Sequence, residues 1–403
     1  MSVLVLIFKL PNCMLLLPNI DWLEVFCIED PKLMNAEEFQ KRGYIWCPRE
    51  YGTRIYEQVI EVRNVFGVNL YTICRIPKSC KSKSVNGILP EGACHIKLEN
   101  WLLYNEDYVQ NLQGFLSQFN IEFRAISRLD VCADLQYFKF GLKPYTLLRG
   151  YMEQKYYKVK QSEFAVHGRD TGYINMQSIK FGSRSSNIFT RMYNKSLELK
   201  QVKDKPYIRD CWKAVGFEKD KDVWRVEVSL KGNGRHLYDR TRKCWADVTD
   251  PETGEMKTVI VGANEKPRGK VKYRKILNVE IDLDYINNRE KVHKLFLSLV
   301  STYFRFRKAV GTRRKSDCPL VDLFDSYPGS RPLTQLPTTH STWSSRTDRQ
   351  VVRYLHKQMT SEPLLTDDDR NWLNGALHTI VWNKRLAQWW DKEFCSLPYP
   401  DST

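Results

Sequence analysis

No apolar segment of the sequence is long and continuous enough to span a membrane. The one candidate, Val3–Leu17, is interrupted by Lys9 and Pro11, whereas a spanning helix needs roughly 20 consecutive apolar residues. A signal peptide would have positive charge ahead of its apolar run, and no charged side chain precedes Val3. We therefore expect residues 1–19 to be a leader or an edge or buried strand, before a domain that begins near Ile20.

The cysteines show no pattern typical of a zinc site or a disulfide framework. The chain has 11 of them, but none forms a Cys-x-x-Cys pair, and the histidines that would complete a zinc site are missing. Reduced thiols in a cytoplasm are therefore expected. No segment recurs with a period of about 20 to 50 residues, which excludes a solenoid.

Positive charge and aromatic residues are abundant. The 63 Lys and Arg against 47 Asp and Glu give a net charge of +16, while 42% of the residues are hydrophobic and 12% aromatic. This composition is ample for a packed core and argues against wholesale disorder. The excess of positive charge indicates a polyanionic partner, and the lack of a spanning segment favours nucleic acid over a membrane surface.

Strand-like alternation and helical spacing both occur, joined mostly by short connections. The mixture predicts an α+β fold with an antiparallel central sheet flanked by helices and followed by a C-terminal helical region. The main predicted elements are strands at Ala125–Phe138, Ser162–His167, Asn175–Ser183, Ile188–Asn194 and Val223–Lys231, and helices at Tyr104–Phe119, Pro144–Glu153, Lys195–Lys203, Tyr207–Gly216 and within Asp284–Val310.

Composition also predicts the domain organisation. Residues 20–240 are expected to form the main domain, 241–327 a basic hairpin, loop and helix extension, 328–345 a linker rich in Ser, Thr and Pro, and 346–403 a helical module. The basic segments Lys266–Lys275 and Arg305–Lys315 either contact DNA or are solvated surface. Thr366, followed by three aspartates, is expected to cap a helix. The helical module binds DNA or a partner, or packs over the main sheet.

Three predicted strands have charged residues on one side only. Alternation puts every second side chain of a strand on the same face. A one-sided pattern is also typical of any sheet with one face in solvent, so a single strand of this kind indicates no function. The residues that share a face are Arg128, Asp130, Cys132 and Asp134; Arg225, Glu227 and Ser229; and Phe189, Arg191, Tyr193 and Lys195.

Three carboxylates in these strands suit a divalent metal. Asp130, Asp134 and Glu227 offer the hard oxygen ligands that Mg²⁺ and Mn²⁺ prefer. Asp130 and Asp134 are four positions apart, which is ~13 Å along a straight strand. They cannot both bind one ion without a bulge or bend, so Glu227 with one of the two is the expected pair.

Tyr193 lies between two cations in the sequence, Arg191 and Lys195. Neighbouring positive charge lowers the pKa of a phenol and favours the phenolate, the nucleophilic form. Arg191, Lys195 and Arg184 are expected to hold phosphate oxygens. The alternative is that Tyr193 is an ordinary strand aromatic packed between long side chains.

Three segments resemble the motifs of a known family. RLDVCAD (Arg128–Asp134), IKFGSRSSNIFTRMYNKSLE (Ile179–Glu198) and WRVEVSL (Trp224–Leu230) resemble, in order and spacing, those of the replication initiation factor family. Its members are trans-acting initiators of rolling-circle plasmids and related proteins of phages and conjugative transposons. The resemblance covers roughly Glu57–Lys231, and IDWLEVF (Ile20–Phe26) also resembles the start of such proteins.

The resemblance implies a Rep- or relaxase-like domain that nicks one DNA strand at an origin. It assigns the nucleophile to Tyr193, which would leave a 5′-phosphotyrosine and a free 3′-hydroxyl, with Lys195 as its catalytic partner. Mg²⁺ or Mn²⁺ would be held by carboxylates. The residues implied are Arg184, Arg191, Arg128 and Arg225 for phosphate or DNA, and Asp130, Asp134 and Glu227 for the metal.

Several alternatives remain open within the resemblance. Tyr173 and Tyr207 are rival nucleophiles. Tyrosine nickases of the wider class use a His-hydrophobic-His metal pair, and none of the seven histidines has that spacing; His95 and His167 are expected to be structural, with His167 a further site candidate. The function is either initiation for a plasmid or phage, relaxation for a conjugative element, or non-catalytic DNA-binding regulation. Origin DNA, a host helicase and a second copy of the chain are the expected partners, in the cytoplasm of a bacterial host.

Overall fold

The computed structural model describes most of the chain. The described residues are 14–78, 89–160, 163–170, 174–183, 186–202, 204–239, 244–250, 252–261, 270–273, 278–311, 314–328, 330, 332–335, 350, 352–360, 366–383 and 390. Arg184 and Tyr173, two of the residues singled out in the sequence, lie outside them. So does most of the basic segment Lys266–Lys275.

The strands and helices that the sequence patterns predict occur in the predicted order, together with further elements. The strands are β1 (Leu17–Ile28), β2 (Tyr44–Pro48), β3 (Tyr56–Asn64), β4 (Asn69–Pro77), β5 (Ala93–Leu98), β6 (Glu122–Leu135), β7 (Tyr156–Lys158), β8 (Phe164–Asp170), β9 (Ile174–Phe181), β10 (Ile188–Asn194), β11 (Trp224–Lys231), β12 (His236–Asp239), β13 (Cys244–Thr249), β14 (Met256–Val261), β15 (Lys270–Tyr273), β16 (Asn278–Glu280), β17 (Phe306–Lys308) and β18 (Leu333–Gln335). The helices are α1 (Ala36–Lys41), α2 (Tyr108–Gln118), α3 (Pro144–Met152), α4 (Lys195–Gln201), α5 (Pro206–Val215) and α6 (Arg289–Tyr303), with a further helix at Asp367–Asn383.

Within the described residues, ten strands form one sheet in the order β2–β3–β4–β5–β1–β6–β11–β10–β9–β8. Every neighbouring pair in it is antiparallel. The predicted α+β class with an antiparallel central sheet and flanking helices is confirmed. The long strand β6 lies near the middle, between β1 and β11, so residues on it have neighbours on both sides.

One face of the sheet carries the main hydrophobic core. Val226 and Val228 of β11 and Val131 of β6 point into it, together with Leu112 of α2 and Leu295 of α6. Because side chains alternate along a strand, the residues between these valines lie on the opposite face. The polar residues that the sequence pattern grouped together are therefore on the side away from the main core.

Helices α4 and α5 contribute a second, smaller core, in which Leu199, Ile208 and Trp212 pack with Leu17 and Tyr104. Helix α5 ends at Gly216, whose φ of +90° is in the left-handed region that favours glycine. Its N–H donates to the carbonyl of Trp212 at 3.1 Å. This termination fixes the end of the helix that carries Trp212.

Two sequence-based boundaries differ from the structure. Residues 17–19 pair with Asp134, Ala133 and Cys132 of β6, so among the expected alternatives for 1–19 this part is a buried central strand and not a leader or an edge strand. Leu333–Gln335 forms β18, which pairs with β12, and Leu333 is buried; the linker predicted over 328–345 therefore contains a strand. In both cases burial against distant elements outweighs local composition.

The chain divides into two compact units, Met1–Gln335 and Leu336–Thr403. In the second unit Thr366 caps the helix at Asp367–Asn383: its hydroxyl accepts from the N–H of Asp369 at 3.2 Å and donates to the carboxylate of Asp369 at 2.6 Å. The predicted N-cap is thus confirmed. No helix in the described ranges is long and apolar enough to cross a membrane.

Lys158 is an unusual lysine at the end of β7. Its ammonium nitrogen donates to the backbone carbonyls of Lys160, at 2.9 Å, and of Tyr303. It lies 5.0 Å from the ring centre of Phe181 and 5.7 Å from that of Phe306. Burial lowers the pKa of Lys158 to about 7, and the charge of Lys160 adds to the effect.

We expect Lys158 to make stability rise with pH. Below pH 7 the side chain is protonated in both states, and the fold bears the cost of the buried charge. Between about pH 7 and the ordinary lysine pKa of 10.5, the unfolded chain binds more protons, so the free energy of unfolding increases by up to about 1.4 kcal/mol per pH unit. Urea unfolding at several pH values should show this slope in the wild type but not in Lys158→Met. The exposed Lys155→Met control should keep it; equal slopes in all three proteins would contradict the assignment.

Candidate functional site

The three motif strands lie side by side, although the sequence separates them by many residues. β6 pairs with β11, and β11 pairs with β10. The register aligns their polar residues in rows across the sheet, and the face they share is the one opposite the main core. The rows are Asp134–Arg225–Tyr193, Cys132–Glu227–Arg191 and Asp130–Ser229–Phe189.

Arg225 is fully buried and surrounded by acceptors. Its guanidinium donates to both carboxylate oxygens of Asp134, at 2.6 and 2.7 Å, to the hydroxyl of Tyr104 at 2.9 Å, and to the carboxylate of Asp21. The indole N–H of Trp212 completes the shell of Asp134 at 2.8 Å. The contact of Arg225 with DNA stays a prediction that these internal hydrogen bonds do not support.

Asp130 is buried as well, and both of its carboxylate oxygens are occupied. Arg128 donates to them at 3.0 and 2.5 Å, and the hydroxyl of Ser229 donates to one of them. Arg128 itself remains about a quarter exposed. Of the two, only the arginine is therefore placed to meet a ligand from solvent.

Glu227 and Arg191 form an incomplete pair in the middle row. One terminal nitrogen of Arg191 donates to Oε2 of Glu227 at 2.6 Å. Within the described part of the chain, Oε1 of Glu227 and Nε of Arg191 are both buried without a hydrogen-bond partner. Burial raises the pKa of Glu227 to about 8, with Arg191 opposing the rise and the charge of Asp130 adding to it.

Tyr193 lies at the end of β10, where the strand runs directly into α4. Asn194 caps α4 by accepting from the N–H of Leu197 at 2.9 Å, which sets Lys195 on the first turn. The ammonium of Lys195 is 3.5 Å from the Tyr193 hydroxyl and 2.7 Å from the carboxylate of Glu198. The guanidinium carbon of Arg191 is 4.9 Å from the centre of the Tyr193 ring.

The predicted lowering of the Tyr193 pKa is wrong. Burial raises the pKa of the phenol well above its ordinary value, and the charge of Asp21 adds to the rise, against Arg225 and Arg191. The flanking cations are present, but each has an acidic partner: Glu227 for Arg191 and Glu198 for Lys195. The resting phenol is therefore neutral.

Asp21 is a site residue that the sequence reasoning missed. It lies at a bulge in β1, between Ile20, which pairs with Val131, and Trp22, which pairs with Asp130. Burial alone would raise the pKa of Asp21, but Arg225 and Lys195 outweigh it and hold that pKa well below its usual value. Its position in the mostly apolar stretch Ile20–Phe26 is the signal that would have indicated it.

The three predicted metal ligands do not fit an ion as they are arranged. Asp134 and Asp130 spend their oxygens on arginine, tryptophan and serine donors, which leaves Oε1 of Glu227. None of the described residues forms a group of three or more Asp, Glu, His or Cys side chains that could hold a metal. Their role as metal ligands stays a prediction that these contacts do not support.

The other candidates are spread around the site. Tyr207 is half-buried on α5, packs against the ring of Tyr104 and donates to Asn100 at 2.8 Å. His167 is exposed and lies in register with Ser178, which in turn pairs with Tyr193. His95 is farther away on β5, 3.6 Å from the carboxylate of Glu24.

Comparison with known proteins finds little similarity. No family model matches the sequence, and no curated protein matches it. Among solved structures, the chain is similar to a rolling circle replication initiator protein from Geobacillus stearothermophilus, with a TM-score of 0.40 and 15% identity over 76% of this chain and 92% of that one. A similarity this distant carries no inference, so the function is inferred from the residues themselves.

We expect the Arg225–Asp134 pair to dominate the stability of the site. Arg225→Met leaves Asp134 and Asp21 without their main cation, so the free energy of unfolding in urea should fall by about 3–5 kcal/mol. The double variant with Asp134→Leu should be more stable than Arg225→Met alone, because the uncompensated charge is gone. Arg63→Met, which breaks a half-exposed pair with Glu61, is the control and should unfold like the wild type. If Arg225→Met also does, the network is not what holds the site.

Proposed function

We propose that this protein initiates rolling-circle DNA replication by cutting one strand of its origin, with Tyr193 as the nucleophile. The observation that carries the proposal is the position of Tyr193 on adjoining motif strands, with its hydroxyl 3.5 Å from the ammonium of Lys195. The three segments that resemble initiator motifs are far apart in the sequence, yet they form neighbouring strands with polar residues on one face.

In the proposed reaction, the phenol oxygen of Tyr193 attacks the phosphorus of a phosphodiester. The bond from phosphorus to the 3′-oxygen breaks, the phenol proton leaves to water, and the 3′-oxygen takes up a proton. The products are a 5′-phosphotyrosine and a 3′-hydroxyl that primes synthesis, with no change of oxidation state. Because burial keeps the phenol neutral, its proton must leave as the new bond forms, and Lys195 stabilises the charge on the oxygen.

Arg191 is the arginine best suited to hold the scissile phosphate. Its side chain is 38% exposed, and among the described contacts its Nε has no partner. A phosphate oxygen that competes with Glu227 for this guanidinium would accept a charge-assisted hydrogen bond from it. Arg128 is a second candidate, at the other side of the polar face. Affinity for DNA should fall steeply with salt, as expected for a chain of net charge +16.

A non-catalytic DNA-binding regulator is the second candidate function. The raised pKa of Tyr193 and the carboxylates already paired with arginine favour it. Both candidates predict origin binding, and only the first predicts a cut strand with protein attached. The relaxase of a conjugative element would use the same chemistry on a transfer origin. A host helicase and a second copy of the chain stay proposed partners.

Nicking should depend on Tyr193. With supercoiled origin DNA and Mg²⁺, the wild type should give open circles carrying covalently attached protein, and Tyr193→Phe should lower the adduct yield by roughly 10³-fold or more because no other oxygen replaces the nucleophile. Tyr207→Phe is the matched control and should retain the adduct. Adduct formation by Tyr193→Phe would show the nucleophile to be wrong, and binding without any adduct in the wild type would favour the regulator.

The metal requirement should separate the carboxylates. Since Asp134 is engaged with Arg225, Asp134→Asn should lower the free energy of unfolding by about 3 kcal/mol yet leave the Mg²⁺ concentration for half-maximal nicking unchanged. The Mg²⁺ requirement of Asp134→Asn is compared with that of Glu227→Gln, because Oε1 of Glu227 has no partner in the described contacts. A tenfold rise in the Mg²⁺ requirement of Asp134→Asn would instead make Asp134 a ligand.

A further inference from the structure

The face of the sheet that carries Tyr193 also carries a tryptophan with two cations, on β1. Trp22 of β1 is half-buried, and its ring centre is 4.1 Å from the ammonium of Lys97 and 4.2 Å from the guanidinium carbon of Arg128. Both cations keep part of their surface in solvent, 29% for Lys97 and 26% for Arg128. The indole N–H donates to Glu24 at 3.3 Å, which fixes the ring orientation.

The pattern continues across neighbouring strands. In one row across the sheet, Trp22 pairs with Asp130, Asp130 with Ser229, and Ser229 with Phe189. Two residues along β6 from Asp130, Arg128 pairs with Lys231. The ammonium of Lys231 is 4.9 Å from the ring centre of Phe189. We name these residues the cation–aromatic track: Lys97, Trp22, Arg128, Lys231 and Phe189. It crosses five adjacent strands, or about 19 Å at the usual spacing.

The two cations over Trp22 are held differently. Arg128 is fixed by two hydrogen bonds to Asp130, at 3.0 and 2.5 Å. Lys97 has a longer ion pair, 3.8 Å, with Glu99. Lys97 is therefore the cation that can leave the ring and expose its surface to a planar ligand, while Arg128 stays in place.

We propose that the cation–aromatic track binds single-stranded DNA, with one base stacked on Trp22 and Lys97 and Lys231 on the flanking phosphates. Stacking on a protein aromatic requires a base free of its own helix stack, which selects a single strand over a duplex. The net charge of +16 suits a polyanion. The inference rests on the proposed function for the direction in which the DNA strand runs, which is from the track toward Tyr193. The row of Tyr193 is four residues along β6 from that of Trp22, or ~13 Å.

The test measures fluorescence anisotropy of a labelled oligothymidylate of about 20 nucleotides. In a Tyr193→Phe background, where no adduct complicates binding, Trp22→Ala should weaken affinity about 10-fold or more, whereas Trp22→Phe should stay within about threefold because a ring remains. An abasic oligonucleotide of equal length should bind more weakly and be insensitive to Trp22→Ala. Thermal unfolding of each variant reports whether the fold is intact.

The lysines have a separate readout. Lys97→Gln should reduce the salt dependence of log affinity by about 0.7, the value of one phosphate contact on a single strand. Lys155→Gln, which removes the same charge from an exposed lysine elsewhere, should leave the salt dependence unchanged. A folded Trp22→Ala variant that binds as tightly as the parent would overturn the track. Loss of binding in Trp22→Ala alongside an intact adduct in Tyr193→Phe would sustain the track and refute the proposed nucleophile.

Discussion

The polar face of this sheet depends on one buried cation. The guanidinium of Arg225 joins Asp134 of β6, Asp21 of β1 and Tyr104 in a single set of hydrogen bonds. Removing a charge from water is costly unless partners replace the water, and here the carboxylates of Asp134 and Asp21 replace it. The bulge in β1 brings Asp21 to it, and α5 adds Trp212. The strands that carry the site are thus tied together through their charges as well as their backbones.

The same desolvation governs the chemistry. Burial raises the pKa of Tyr193, and the nearby charges of Arg225 and Arg191 do not outweigh it. If Tyr193 is the nucleophile, as proposed, its activation must come with the substrate. A phosphate that binds Arg191 would compete with Glu227 for that cation and shift the local balance of charge. Without a ligand, Arg191 is paired with Glu227. An anionic ligand would change this pairing and with it the charge near Tyr193.

Alternation in β6, β10 and β11 was enough to predict which residues share a face, because a period of two is local information. Register was not predictable: it depends on the pairing of distant strands, which sets Asp134 opposite Arg225 and Ser229 opposite Asp130. Burial was not predictable either, since Arg225 is enclosed by Asp134, Asp21 and Tyr104, which are far from it in the sequence. For that reason the pKa of Tyr193 was predicted with the wrong sign, and Asp21 was overlooked in an apolar strand.

The passage from β10 into α4 has a mechanical consequence. Tyr193 is on a strand hydrogen-bonded on both sides, to β9 and to β11, and Asn194 locks the junction with the helix. In the proposed reaction, DNA joined to this tyrosine would be tethered to the interior of the sheet and not to a loop. Tension from a moving replication fork would then spread over two backbone ladders, so the tether would resist load without local unravelling.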